Sequence, residues 1–224
     1  MSVSTESGAA AQAEAPDFPD APAGRGRRGY GVLIAVLVVG LLLGLAGGVL
    51  APRLTRPGDG SVEAGFLRDM STHHAQAVEM SMIAHAATDN ADIRSLAADI
   101  ALTQHGQVGI MQAWLREWKL SPTRSDPPMA WMPDSAGSVV NGLMPGMATP
   151  EQLTQLRAAT GKALDMQFLM LMRQHHLGGI HMAQEIIKLS DNDDVTWLAQ
   201  TMVNAQQGEI ALIDSLLKQL QGTK

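Results

Sequence analysis

The stretch from Met70 to Met80 reads MSTHHAQAVEM, and the stretch from Met172 to Met182 reads MRQHHLGGIHM. Each sets an adjacent histidine pair between two methionines, and the two stand 102 residues apart. At that one offset Phe66 falls on Phe168, Leu67 on Leu169, Met70 on Met172, His73 on His175, His74 on His176 and Met80 on Met182. Further along, Leu96 and Ala97 fall on Leu198 and Ala199, Gln104 on Gln206, Gly106 on Gly208 and Leu115 on Leu217, with no gap. The pattern reads as an internal duplication of a unit too long for a solenoid repeat.

Helical periodicity runs through 62–87, 91–119, 162–189 and 193–220, so each copy predicts a helical hairpin. The turns correspond as well: Thr88, Asp89 and Asn90 in the first copy, Ser190, Asp191 and Asn192 in the second, each supplying N-cap side chains for the next helix. One hairpin alone leaves an apolar stripe in water, and two together predict an all-α four-helix bundle over residues 62–220. Repeat 1 is expected at 62–119 and repeat 2 at 150–220. Between them, 121–149 is a Pro/Gly-rich crossing carrying the pairs Met129/Met132 and Met144/Met147. Those pairs suit either capture of a soft ion or hydrophobic plugging of a turn. Thr149, Pro150 and Gln152 fit an N-cap, a first-turn proline and a capping-box partner, so a short helix is expected from Pro150 toward Gly161.

Residues 30–51, YGVLIAVLVVGLLLGLAGGVLA, carry no charge and as a helix would extend about 33 Å, enough to cross a bilayer. Arg25, Arg27 and Arg28 precede the segment and orient it with the N-terminus in the cytoplasm, although Arg53 and Arg56 follow it. A cleaved signal peptide is the rival, but its apolar core is normally shorter, and Pro52 would follow the one suitable small-x-small site, Val49-x-Ala51. The expectation is a single-pass signal anchor in the cell membrane, a disordered cytoplasmic tail at 1–29, a linker at 52–61 and a C-terminal domain outside the cytoplasm.

Composition narrows the chemistry. The 224 residues include 14 methionines and no cysteine, which excludes disulfides, thiolate metal sites and cysteine nucleophiles. Residues 62–224 hold 17 Asp plus Glu against 11 Lys plus Arg, a formal charge of −6, which disfavours nucleic acid and favours cations as partners. Placed on a helix, Glu63, Phe66, Met70, His73, His74, Ala77, Met80 and Ala84 share one inward arc, while Arg68, Asp69, Gln76 and Glu79 fall outside it. The second copy repeats this with Asp165, Met172, His175, His176 and Met182, whereas His181 points away. His85 can join the inward side. On the partner helices the apolar faces include Gln104 and Gln107, and then Gln206 and Glu209.

An inward carboxylate is costly unless hydrogen-bonded, protonated or bound to a cation. Imidazole and thioether without thiolate suit copper, Cu(I) above all, because soft sulfur stabilises the reduced ion. The candidate metal residues are therefore Glu63, Met70, His73, His74 and Met80, with Asp165, Met172, His175, His176, Met182 and Glu209. Two other readings stand beside copper binding. One is a structural or interaction bundle whose histidines belong to polar networks. The other, a ferritin-like dimetal oxidase, needs paired E-x-x-H motifs, and the chain contains none. No nucleophile triad or phosphate loop marks an enzyme.

The run F-L-x-x-M-x-x-H-H-x-x-x-[VI]-x-M, followed by a helix with Q-x-x-[EQ]-[VI], twice, with an M-P-G-M link, resembles domain-of-unknown-function family 305 over residues 62–220. The resemblance implies a ferritin-like helical fold and copper binding outside the cytoplasm, since the family includes periplasmic copper-binding proteins of the CopM type. His73, His74, Met80, His175, His176 and Met182 match the motif. Gln107 departs from it, standing where the family usually has the Glu that this chain retains at Glu209.

Overall fold

The computed structural model describes residues 26–54, 56–123, 126–133, 135 and 137–222. It divides into two compact units, 1–55 and 56–224. The tail expected at 1–29 lies mostly outside the described residues. In the first unit α1 runs Gly26–Leu54, longer at both ends than the apolar run that defines it. Its Tyr30–Gly48 portion is long and apolar enough to cross a membrane, with every side chain exposed.

The second unit is helical: α2 (Val62–Ala87), α3 (Ala91–Glu117), α4 (Pro150–Ala158), α5 (Gly161–Leu189) and α6 (Asp193–Gly222). The caps follow the sequence signals. Asn90 Oδ1 accepts from the amides of Asp92 and Ile93, and Asn192 Oδ1 from that of Val195. Thr149 and Gln152 close a reciprocal capping box around Pro150, satisfying two amide donors that the first turn leaves unpaired. The short helix ends at Ala158, earlier than the expected approach to Gly161, which itself opens α5 with φ +52°. The described residues of the crossing form turns and an isolated bridge between Val140 and Leu143.

α2 packs on α3, α5 on α6, and α2 on α5, making the four-helix bundle. Its core has two apolar parts. In one, Phe66, Leu67 and Met70 of α2 meet Met182, Ala183 and Ile186 of α5, with Met129, Met132 and Met144 of the crossing. In the other, Ala77, Met80 and Ala84 meet Leu164, Phe168, Leu169 and Met172. The early half of α2 thus packs on the late half of α5 and the reverse, as antiparallel neighbours do. Between the parts, at mid-helix, lies the polar layer that includes both histidine pairs.

Candidate metal centre

All four paired histidines are sealed in this layer: His73, His74 and His176 are 0% exposed and His175 1%. The rings of His73 and His175, equivalent under the 102-residue offset, meet where α2 crosses α5, with centroids 3.8 Å apart and planes tilted by 33°. His74 and His176 turn toward the outer helices.

Each Nε2 has an oxygen partner. His73 Nε2 lies 3.0 Å from the Pro145 carbonyl and His175 Nε2 2.9 Å from the carbonyl of His73 itself. His74 Nε2 lies 2.8 Å from Gln107 Oε1, and His176 Nε2 2.5 Å from Glu209 Oε2. Carbonyl and carboxylate oxygens accept but do not donate, so each Nε2 carries a proton, and the neutral form of each ring keeps its lone pair on Nδ1. All four Nδ1 atoms are buried without a partner. Among the described residues eight buried side-chain polar atoms lack partners, and seven belong to this layer: these four, both amide atoms of Gln104, and Gln206 Oε1. Native cores satisfy nearly all such atoms, so the concentration marks the layer as more than packing.

Burial disfavours the imidazolium. It pushes His73 down to about 4 and, with His73 adding repulsion, His74 down to about 3. Burial also holds His175 well below the ordinary range, reinforced by the neighbouring imidazoles. These rings are neutral at physiological pH, the form that presents a lone pair.

Two of the expected carboxylates, Glu63 and Asp165, bond away from the histidines. Glu63 accepts from Ser190 Oγ at 2.7 Å, and Asp165 accepts from Thr88 Oγ1. Each precedes its second paired histidine by eleven residues, about 16 Å along a helix. They share the inward arc with the histidines but not their level, and instead tie each long helix to the interhelical turn of the other hairpin. Glu209 is in place, against His176. Met70 and Met182 lie in one apolar part of the core and Met80 and Met172 in the other, all 0% exposed, so the thioethers flank the layer from both directions. His85 bonds the Arg94 carbonyl through Nδ1, and His181 is exposed. Among the described residues no three His, Asp or Glu side chains converge as a ready metal-holding group. An ion in this layer would have to draw on imidazole and thioether together.

The reading of the sequence left out the crossing's attachment. Asp69 Oδ2 accepts from the Met129 amide at 2.7 Å and from Trp131 Nε1 at 2.9 Å. The Gln76 side chain makes paired bonds with Ala148, accepting its N–H at 2.7 Å and donating to its carbonyl at 2.9 Å. Gly178 leaves room for the turn, since a Cβ there would stand 1.9 Å from the Pro145 oxygen. A signal was available: the second copy has Leu171 and Gly178 where the first has Asp69 and Gln76, and the copies diverge where the crossing docks.

CopM solved in its Cu(I)-bound form superposes with a TM-score of 0.57 at 19% identity, over 72% of this chain and 99% of its own, a likeness of fold. A DUF305 fragment from Deinococcus radiodurans gives 0.59 at 29% identity over 70% and 96%. A DUF305 protein from Streptomyces coelicolor, described as secreted, gives 0.67 at 43% identity over 73% and 96%. No curated protein matches the sequence. The profile of the domain of unknown function DUF305 matches residues 63–217, which is most of the chain, and the chain therefore belongs to the DUF305 family.

Proposed function

We propose that this protein is anchored in the membrane by α1 and binds and buffers copper outside the cytoplasm, with the ion in the buried imidazole layer. One observation carries the reading: four buried imidazoles each donate Nε2–H to an oxygen and each keep a buried, unpartnered Nδ1. Metal-ligating histidines have this outer arrangement, in which the second nitrogen donates to a carboxylate or carbonyl that fixes the tautomer and raises ligand basicity. The holders would be drawn from the Nδ1 atoms of His73, His74, His175 and His176, fewer than three at once, with thioethers of Met70, Met80, Met172 and Met182 completing the set. Neutral imidazole and thioether favour Cu(I), whose soft character sulfur stabilises. The solved CopM forms with Cu(I), Cu(II) and silver agree with that preference for coinage metals within the shared fold. His176 donates to a carboxylate and His74 to an amide, which makes the His175/His176 side the better one for divalent copper.

The test is anaerobic Cu(I) titration against a competing chelator, with wild type and with each histidine pair replaced by Gln. Affinity is expected to fall by more than ~100-fold in the quadruple variant, beyond the loss typical of an outer-partner mutation. The His175/His176 replacement should weaken Cu(II) binding more than the His73/His74 replacement. Wild-type affinity in the quadruple variant would move the site to the crossing's methionines. No binding by wild type would leave the histidines as a polar network in an interaction bundle. The orientation is tested by a reporter fused after Lys224, and activity of a cytoplasm-only reporter there would overturn it.

A further inference from the structure

The four imidazoles are sealed behind their neighbours, so an ion can reach them only past something that moves. The helices around it are held by apolar packing on both sides of the layer, whereas the crossing is strapped to α2 by side-chain hydrogen bonds from Asp69 and Gln76. Beneath the strap lies a cleft of about 310 Å³, bordered by Arg68, Asp69, Thr72, Trp131, Met144 and Met147. The guanidinium of Arg68 is paired with the Asp59 carboxylate and donates to the Ser121 carbonyl, which offsets its charge beside the cleft.

The two methionine pairs of the crossing have different surroundings. Met129, Met132 and Met144 are all buried in the core and Met147 is half-buried, but Met129 and Met132 do not border the cleft. Met144 and Met147 border it, and between them Pro145 presents the carbonyl that receives the His73 Nε2–H. The thioethers that meet the cleft are therefore covalently next to a crossing residue, Pro145, that is bonded to the imidazole layer. A thioether is neutral and soft: it selects a monovalent coinage-metal ion over the hard cations of the medium and holds it loosely enough to pass it on.

We propose that this cleft is the port of the copper site: Met144 and Met147 capture a soft monovalent ion, and withdrawal of Pro145 from His73 admits it to the imidazoles. The ion keeps its oxidation state throughout. This deepens the reading above and rests on it.

The test uses the full-length protein in detergent and anaerobic Cu(I) delivered from a chromogenic chelator, followed by stopped flow. Met144→Leu with Met147→Leu keeps volume and apolarity while removing both sulfurs. Uptake is expected to slow at least tenfold, with equilibrium affinity unchanged and helical circular dichroism intact. An unchanged rate would overturn the port, and so would a large fall in equilibrium affinity, because the methionines would then be final ligands. A second measurement separates this proposal from the copper-binding reading. The quadruple His→Gln variant should still bind one Ag(I) weakly and lose it when the two Leu substitutions are added. If wild type binds copper but the quadruple variant binds no Ag(I), the port fails alone. If wild type binds neither ion, both proposals fall.

Discussion

Each histidine of the layer was legible in the sequence as an inward residue, because a helical wheel reports angular position well. It reports nothing about height, which is why Glu63 and Asp165 joined the candidate site on paper and bond Ser190 and Thr88 in the fold. Nor could the tautomer be read, since it depends on acceptors brought from as far as the His73 carbonyl, 102 residues from His175. The buried tautomer sets an expectation about pH. Native His73 titrates only near about 4 and His74 near about 3, whereas in the unfolded chain each returns to 6.5. Between those values the unfolded state binds more protons, so the apo protein should lose stability as pH falls from 6.5 through about 4 toward about 3, where the contribution of this pair levels off. Urea midpoints at pH 7 and pH 5 check this, and the quadruple Gln variant should show a smaller drop. Copper behaves differently. Protons compete for native His73 only near about 4 and for His74 near about 3, so the Cu(I) affinity contributed by that pair should stay within roughly twofold from pH 7 to 5.5. A tenfold fall per unit beginning at pH 6.5 would mean the rings are open to water.

Among the elements, the four long helices and their caps were nearly complete in the sequence, because apolar period and Asn, Thr and Pro punctuation are local signals. The crossing was legible only as an interruption. Its course depends on Asp69, Gln76 and Gly178, contacts that no local pattern encodes. Glycine substitutions separate these two kinds of information. Gly106 and Gly208 are mid-helix, exposed, and have no atom within 4 Å of an added Cβ. Alanine at either should stabilise by ~0.5–1 kcal/mol by lowering the entropy cost of ordering the backbone. Gly178 is also helical, but its added Cβ would strike the Pro145 carbonyl. Gly178→Ala should therefore cost about 1–3 kcal/mol, as overpacking does, and detach the turn from His73. Thermal melts of the three single variants provide the comparison. If Gly178→Ala melts no lower than Gly208→Ala, the turn is not held against α5 as described.

For the whole molecule, the arrangement of two apolar parts around a polar layer raises the question of what the metal contributes to folding. A domain nucleated by its ion has little core without it, as in small zinc modules. Here Phe66, Leu67, Leu169 and Phe168 are fully buried among apolar neighbours, and none depends on the layer for its contacts. The reciprocal bonds of Glu63 with Ser190 and Asp165 with Thr88 tie the hairpins together far from the histidines. The layer itself opposes stability, because its unpartnered nitrogens and amides were withdrawn from water without replacement bonds. The apo protein should accordingly be fully helical and melt cooperatively, and copper should raise the melting temperature without changing the circular dichroism. Binding to the native state alone stabilises by about 4 kcal/mol at a free ion level a thousand times the dissociation constant. For a bundle of this size that corresponds to a rise of very roughly 10 °C. In the quadruple Gln variant the rise should nearly vanish, while the apo melting temperature stays close to wild type because amides replace rings in the same layer. If chelator-treated protein lost its helical signal and regained it only with copper, the metal would be the folding nucleus, and the two apolar parts would not be a self-sufficient core.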